Sequence, residues 1–368
     1  MSDSLRVGIT QRVLTEYRAP LFDLLAESLN GTLSVFSGQP RPVESIAQAD
    51  QLHVAQWTRG QNLHLFTGKA YLCWQSGLLA WLRNLNPEVL ILEANPRYLL
   101  TPLAVRWMKR RGRAVIGWGL GAPASAGPLS AIRNAWRKNW ASQFDALITY
   151  SQQGAREYQA LGVPGKRVFV AANAASRRPQ NPPPHRAVEI SASRANLLFV
   201  GRLQARKRVD LLLQAVASLP EDQRPRLTIV GDGPEREALQ NLAAQILPQA
   251  RFTGALHGSE LDAYFEAADL FVLPGTGGLA IQQAMSHALP VIVAEADGTQ
   301  ADLVRAENGW QIPPGDLPAL ITCLETALKD TQTLRAMGQQ SYRIVRDEIN
   351  LEKMVEVFLQ AIQTVVEG

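Results

Sequence analysis

The chain predicts an α/β protein whose helices layer onto mostly parallel sheets. Three observations carry that prediction. Short β-branched runs alternate with longer amphipathic ones. A polar, proline-dense stretch at 177–186 (RRPQNPPPHR) breaks the alternation, and its three consecutive prolines forbid helix and strand ladder alike. The alternation then restarts, so 368 residues divide into two domains of ordinary size, each with its own core.

In the first half, β-branched runs predict strands at 5–10, 32–36, 89–93, 114–118, 146–150 and 168–170. Amphipathic spacing predicts helices at 20–29, 99–110, 129–143 and 153–161. In the second half strands are expected at 197–200, 226–230, 250–253, 270–273 and 291–294. Helices at 209–219, 235–246, 261–267 and 279–287 alternate with them, and 317–329 and 334–345 follow with no strand between. A last helix, 351–366, has no strand after it and is expected to pack back on the first domain.

Composition removes several classes of function. Hydrophobic residues make up 46% and charged residues 19%, which is globular rather than disordered. A formal net charge of +4 permits an anionic partner, and no RNA-binding or zinc-finger motif calls for nucleic acid. Cys73 and Cys323 lie far apart, which argues against a disulfide framework or a zinc site and fits a reducing cytoplasm. The start, MSDSLRVGIT, does not read as a signal peptide, and no uncharged apolar run reaches the roughly 18–20 residues that span a bilayer.

Three strand ends carry glycine loops. At 200–210 (VGRLQARKRVD), Gly201 turns the chain out of a strand, and Arg202 and Lys207 stand on the loop before a helix. The carboxyl edge of a parallel sheet is where ligands bind in such folds, and arginine and lysine there suit phosphate oxygens. A simply solvated basic loop reads equally well, because Arg206 and Arg208 are its neighbours. At 229–237 (IVGDGPERE), Asp232 fits a turn-and-cap role better than catalysis. At 271–285 (FVLPGTGGLAIQQAM), an apolar run breaks into Gly275-Thr276-Gly277-Gly278 and a helix starting at Leu279 follows at once. Backbone N–H groups and the positive end of a helix dipole converge there, a seat for phosphate.

Taken in order, GRLxxxKxxD, VGDGPxxxxL, FTGxxxxxxLxxYxxxADLFVLPG, QAMSHALPVIV and NGWxxPPGD make a set far more specific than any one member. The set resembles the nucleotide-sugar-binding half of glycosyltransferase family 4, strongly over 197–316 and moderately over 146–176. The resemblance implies the GT-B fold, two Rossmann-like doubly wound domains facing a cleft. It divides this chain into an acceptor domain (1–178), a linker (179–188), a donor domain (189–348) and a C-terminal helix (349–368) packing toward the first domain. It further implies a retaining, hexosyltransferase-like reaction that moves a sugar from a nucleotide diphosphate donor to a glycan or lipid-linked acceptor. No cofactor or metal is implied, and no Asp-x-Asp pair for a divalent ion is present. Arg202 and Lys207 match the basic pair that neutralises the departing diphosphate; the backbone around Gly277, Gly278 and Leu279 would hold the distal phosphate, Ala255 and Leu256 would border the nucleobase, and Gly201, Gly275 and Thr276 complete the donor-binding set.

The chain departs from that pattern where two glutamates belong. The ribose-binding position is Gln283, which can bond a hydroxyl only without charge assistance, and the sugar-binding position eight residues earlier is Gly275. A degenerate member, binding nucleotide or a partner without turnover, is therefore the alternative. A sugar-nucleotide epimerase fits the motif order less well, and an NAD dehydrogenase fits worst because no GxGxxG closes the first strand. For the acceptor, polar strand ends offer Glu16, Tyr17 and Arg18 after the first strand, Glu93, Asn95 and Arg97 after the third, and Trp118 and Gly119 after the fourth. Arg18 reads either as a phosphate ligand or as a surface ion pair. Finally, 107–113 (WMKRRGR) and 131–140 (AIRNAWRKNW) mix arginine, lysine and tryptophan on helices. That pattern suits peripheral contact with the anionic inner face of the cytoplasmic membrane, or a solvated face with tryptophan packed inward.

Overall fold

The protein is described by a computed structural model covering residues 5–44, 46–125, 127–296 and 298–368. Its chain forms two units, Met1–Ala175 with Leu351–Gly368, and Ser176–Asn350.

In the first unit the strands are β1 (Val7–Val13), β2 (Leu33–Gly38), β3 (Gln56–Arg59), β4 (Gln61–Leu65), β5 (Leu72–Ser76), β6 (Val89–Glu93), β7 (Ala114–Gly119), β8 (Ala146–Thr149) and β9 (Val168–Val170). Seven of them form one parallel sheet in the order β3-β2-β1-β6-β7-β8-β9, while β4 and β5 pair as an antiparallel hairpin. The helices are α1 (Ala19–Ser28), α2 (Leu78–Leu85), α3 (Thr101–Lys109), α4 (Ser130–Ala141) and α5 (Gln152–Ala160). The central strands are buried on both faces, which is why they read as continuous apolar runs. Side chains of α2, α3, α4 and α5 share one core cluster, with Trp81, Met108, Phe144 and Tyr158 among its members.

The second unit holds β10 (Asn196–Val200), α6 (Val209–Ser218), β11 (Arg226–Val230), α7 (Arg236–Ile246), β12 (Arg251–Gly254), α8 (Gly258–Ala267) and β13 (Leu270–Leu273). After these come α9 (Leu279–Ser286), β14 (Val291–Ala294), α10 (Thr299–Leu303), β15 (Gly309–Ile312), α11 (Leu317–Lys329) and α12 (Thr331–Asp347). Its parallel sheet runs β12-β11-β10-β13-β14-β15. Asp316 and Asp330 cap α11 and α12, each accepting the amide of the residue three positions on. The last helix, α13 (Leu351–Glu367), belongs to the first unit, where it lies against α1, β7 and β8 and sets Phe358 edge-on to Trp118 at 4.9 Å.

Both sheets therefore have the strand order of a Rossmann fold, with the direction of winding reversing between β1 and β6 in one and between β10 and β13 in the other. Elements between residues 56 and 85, and α10 and β15, escape the sequence reading. They are short or lie at a sheet edge: β3 and β15 are four-residue edge strands, and β3 is largely exposed, so it lacks the apolar run that marks central strands.

Candidate functional site

In an open parallel sheet the crevice outside the strand ends opens where the winding reverses, so each unit offers one such place. In the second unit it lies beyond β10 and β13, whose register pairs Leu198 with Phe271. Two loops leave these ends and lock together. The Thr276 amide donates to the Arg206 carbonyl at 3.0 Å, and the Arg206 guanidinium donates to Thr276 Oγ1 at 3.1 Å. Gly275 is buried against the other loop. A Cβ on it would overlap the Arg206 carbonyl oxygen and lie 2.6 Å from Lys207 Cα. The backbone at Gly275 can pass only because it carries no side chain.

Lys207 reaches the same turn with its ammonium. A Cβ on Gly277 would meet Lys207 Nζ, and Gly277 takes φ +149, in the region that glycine favours. Burial, reinforced by the Arg206 charge, pushes the Lys207 ammonium down to about 8. Among the described residues no carboxylate lies within ion-pair distance of it. A half-buried cation with no acid beside it, facing a glycine turn at a helix start, is arranged for an anion.

Sequence reasoning missed one supporting residue. Gln300, buried at the start of α10, donates from Nε2 to the Gly277 carbonyl at 2.7 Å and fixes the turn from behind. Arg202 is exposed on the β10 loop, and Gly201 packs against the Gly231 backbone. Asp232 pairs with Arg236 one turn on and accepts the Gly233 amide, which is the turn-and-cap role. Gln283 is half-buried on α9, Leu279 is exposed at its first turn, and Ala255 and Leu256 follow β12. The neighbouring Gln282 is buried and donates to the Ile349 carbonyl at 2.7 Å.

The corresponding place in the first unit, beyond β1 and β6, is filled by side chains. Glu93 accepts the Arg12 amide, and burial pushes its carboxyl up to about 7 against that bond and the Arg12 and Arg18 charges. The Arg12 guanidinium turns away to Glu44 at 2.8 Å, where Arg41 also binds at 3.0 Å; despite burial, these bonds hold the Glu44 carboxyl down to about 2. Arg18 is neither a surface ion pair nor an open ligand. It is 3% exposed, donates to Asn173 Oδ1 at 2.5 Å, and stands about 5 Å from the rings of Tyr17, Trp118 and Tyr150. Trp118, expected at a polar strand end, is a buried aromatic hub. The reason is common to both: α13 returns to this unit and covers them, Met354 accepting from Arg18 at 3.4 Å. Glu16 and Arg97 are exposed, Asn95 accepts the Arg97 amide, and Gly119 is half-buried.

Two Rossmann-like units, the second with a cationic, glycine-lined reversal point, make up a GT-B fold. Residues 194–330, all within the second unit, match the family Glycosyl transferases group 1. Over 150 residues (39% of this chain) it is 35% identical to the sulfoquinovosyl transferase SQD2 of Arabidopsis thaliana, and over 160 residues (41%) it is 38% identical to a GDP-mannose-dependent alpha-mannosyltransferase of Mycobacterium tuberculosis. These matches cover 28% and 40% of the two relatives, so the chain spans well under half of either. Among solved structures, the sucrose-phosphate synthase of Thermosynechococcus elongatus superimposes with a TM-score of 0.69 over 99% of both chains at 18% identity. Anabaena Alr3699/HepE, solved with UDP, does so with a TM-score of 0.70 over 98% of this chain and 100% of its own at 15% identity. Among the described residues no group of three metal-ligating side chains converges, and no helix is long and apolar enough to cross a membrane.

Proposed function

We propose that the protein transfers a sugar from a nucleotide diphosphate donor to a glycan or lipid-linked acceptor, with retention, in the cytoplasm. The observation that carries this reading is Lys207, a half-buried ammonium without an acid partner among the described residues, set against the Gly277 turn. In this reading the diphosphate occupies the turn at 275–278, with backbone amides and the start of α9 on one side and Lys207 and Arg202 on the other. As the bond from the sugar's anomeric carbon to the diphosphate breaks, its electron pair leaves with the diphosphate, while the acceptor hydroxyl oxygen bonds that carbon and its proton passes to the departing phosphate oxygen. Half-buried Lys207 meets the growing charge, and one such donor contributes a few kcal/mol of barrier lowering. The nucleobase would border Ala255 and Leu256, and Gln283 would bond the ribose. Residues 1–178 with 349–368 would bind the acceptor, 189–348 the donor, and 179–188 would link them.

One observation favours a second reading, a nucleotide-binding member without turnover. The place of the sugar-reading glutamate is Gly275, and its surroundings leave no room for any side chain. Calorimetry with a panel of nucleoside diphosphates, followed by transfer and donor-hydrolysis assays, separates the two. Binding with turnover of at least one donor supports the transferase; binding with no turnover across donors and acceptors favours the second reading. No binding to any nucleotide overturns both.

A further inference from the structure

We propose that the face of the first unit built by α3 and α4 docks on an anionic lipid bilayer, with Ile132 and Trp136 entering the boundary between headgroups and acyl chains. Both helices connect successive strands in the run β6-β7-β8, so right-handed crossovers place them on one face of the sheet, and both feed the same core cluster. Between Glu93 and Asp145 the chain has nine lysines and arginines and no aspartate or glutamate. Arg106, Arg110, Arg111 and Lys138 are exposed, and Arg111 lies over the Trp107 ring at 3.9 Å. Asp145 is paired with Lys109, while Glu157 on α5 accepts from the neutral Gln153 amide and keeps its charge.

Charge alone would serve a nucleic acid equally well. The apolar side chains decide for lipid. Trp140 packs inward, but Trp136 is 53% exposed and Ile132, one turn before it, is 66% exposed. Leu129 at the helix start and Leu120 on the loop after β7 are also more than half exposed. A phosphate backbone has no use for exposed isoleucine and leucine, whereas a helix lying in a membrane interface needs such residues beside its arginines and lysines.

This inference stands apart from the transfer reading, because vesicle binding is measured without donor or turnover. The full-length protein should float with phosphatidylcholine vesicles containing phosphatidylglycerol, not with phosphatidylcholine alone, and salt should release it. The double variant Ile132→Ser, Trp136→Ser should lower partitioning about tenfold, and Arg110→Glu with Arg111→Glu by a similar factor, both with unchanged melting temperature. Failure to float with the anionic vesicles overturns the proposal, as does flotation indifferent to the apolar double variant. Should that variant misfold, brominated lipids provide the second reading. They should quench tryptophan fluorescence in the wild type and quench it less in Trp136→Phe, and equal quenching overturns the insertion.

Discussion

The strand ends of β10 and β13 and those of β1 and β6 are the same place in two copies of one topology, yet they are furnished in opposite ways. In the second unit the reversal point is lined by glycine backbone and by Lys207, which has no acid beside it among the described residues. In the first it is packed with guanidinium, carboxyl and aromatic groups that bind one another: Arg12 with Glu44, and Arg18 with Asn173 inside an aromatic cage. A Rossmann sheet provides the crevice in both, but only side-chain economy leaves it able to receive a charged ligand. The first place spends its cations on internal order, whereas the second keeps one in reserve.

Variants at five positions break or sharpen that contrast. Gly275→Glu restores the side chain that the family pattern expects, and it should harm rather than help. Its Cβ must displace backbone at Arg206 and Lys207, costing about 4 kcal/mol and abolishing nucleotide binding. Chemical denaturation and calorimetry read both, and a stable variant with restored affinity would mean the two loops yield easily. Arg18→Ala should cost about 3 kcal/mol through lost packing and an orphaned Asn173 oxygen, yet leave nucleotide affinity unchanged. A large affinity change at constant stability would put Arg18 among the ligands instead.

Lys207→Ala should weaken nucleoside diphosphate binding about thirtyfold, or about 2 kcal/mol, with little change in stability. Arg206→Ala should cost only a few-fold, since its guanidinium is exposed and serves Thr276. Equal losses would misplace the site. The pH dependence has a definite sign. Lys207 is charged below about 8, so affinity should be highest there and fall as pH rises through that value, and Lys207→Arg should flatten the fall.

Glu93→Gln should have the smallest effect, about 1 kcal/mol. The Glu93 carboxyl titrates near 7 in the folded protein against an ordinary 4.5. Its contribution to stability is therefore fully present below about 4.5 and is lost as pH rises to about 7. Urea midpoints at the two ends of that window should differ in the wild type and converge in Glu93→Gln. An unchanged pH slope would remove Glu93 as its cause.

How far the sequence carried differs between the same two places. The donor-side loops were legible because each piece is local: a β-branched run, a glycine, a lysine at fixed spacing, a helix start. Gly275 and Gln283 could likewise be counted off a pattern. Gln300 could not, because its bond to Gly277 joins residues 23 apart through a buried side chain. On the other side, Glu16, Arg18 and Trp118 look alike in sequence as polar or aromatic groups at strand ends. Their fates part only when Leu351–Glu367 returns to the first unit and covers Arg18 and Trp118 while Glu16 remains exposed.

By itself, then, the sequence determined the two α/β halves, the positions of their central strands along the chain and the loops that carry glycine and lysine, because periodicity and turn chemistry are local properties. Only the tertiary structure decided which cations are available. Whether an arginine or lysine meets an oxygen, an aromatic ring or open space depends on chain segments hundreds of residues away. Arg18 lies against Met354, 336 positions on, and is used up there, whereas Lys207 faces the bare backbone of Gly277.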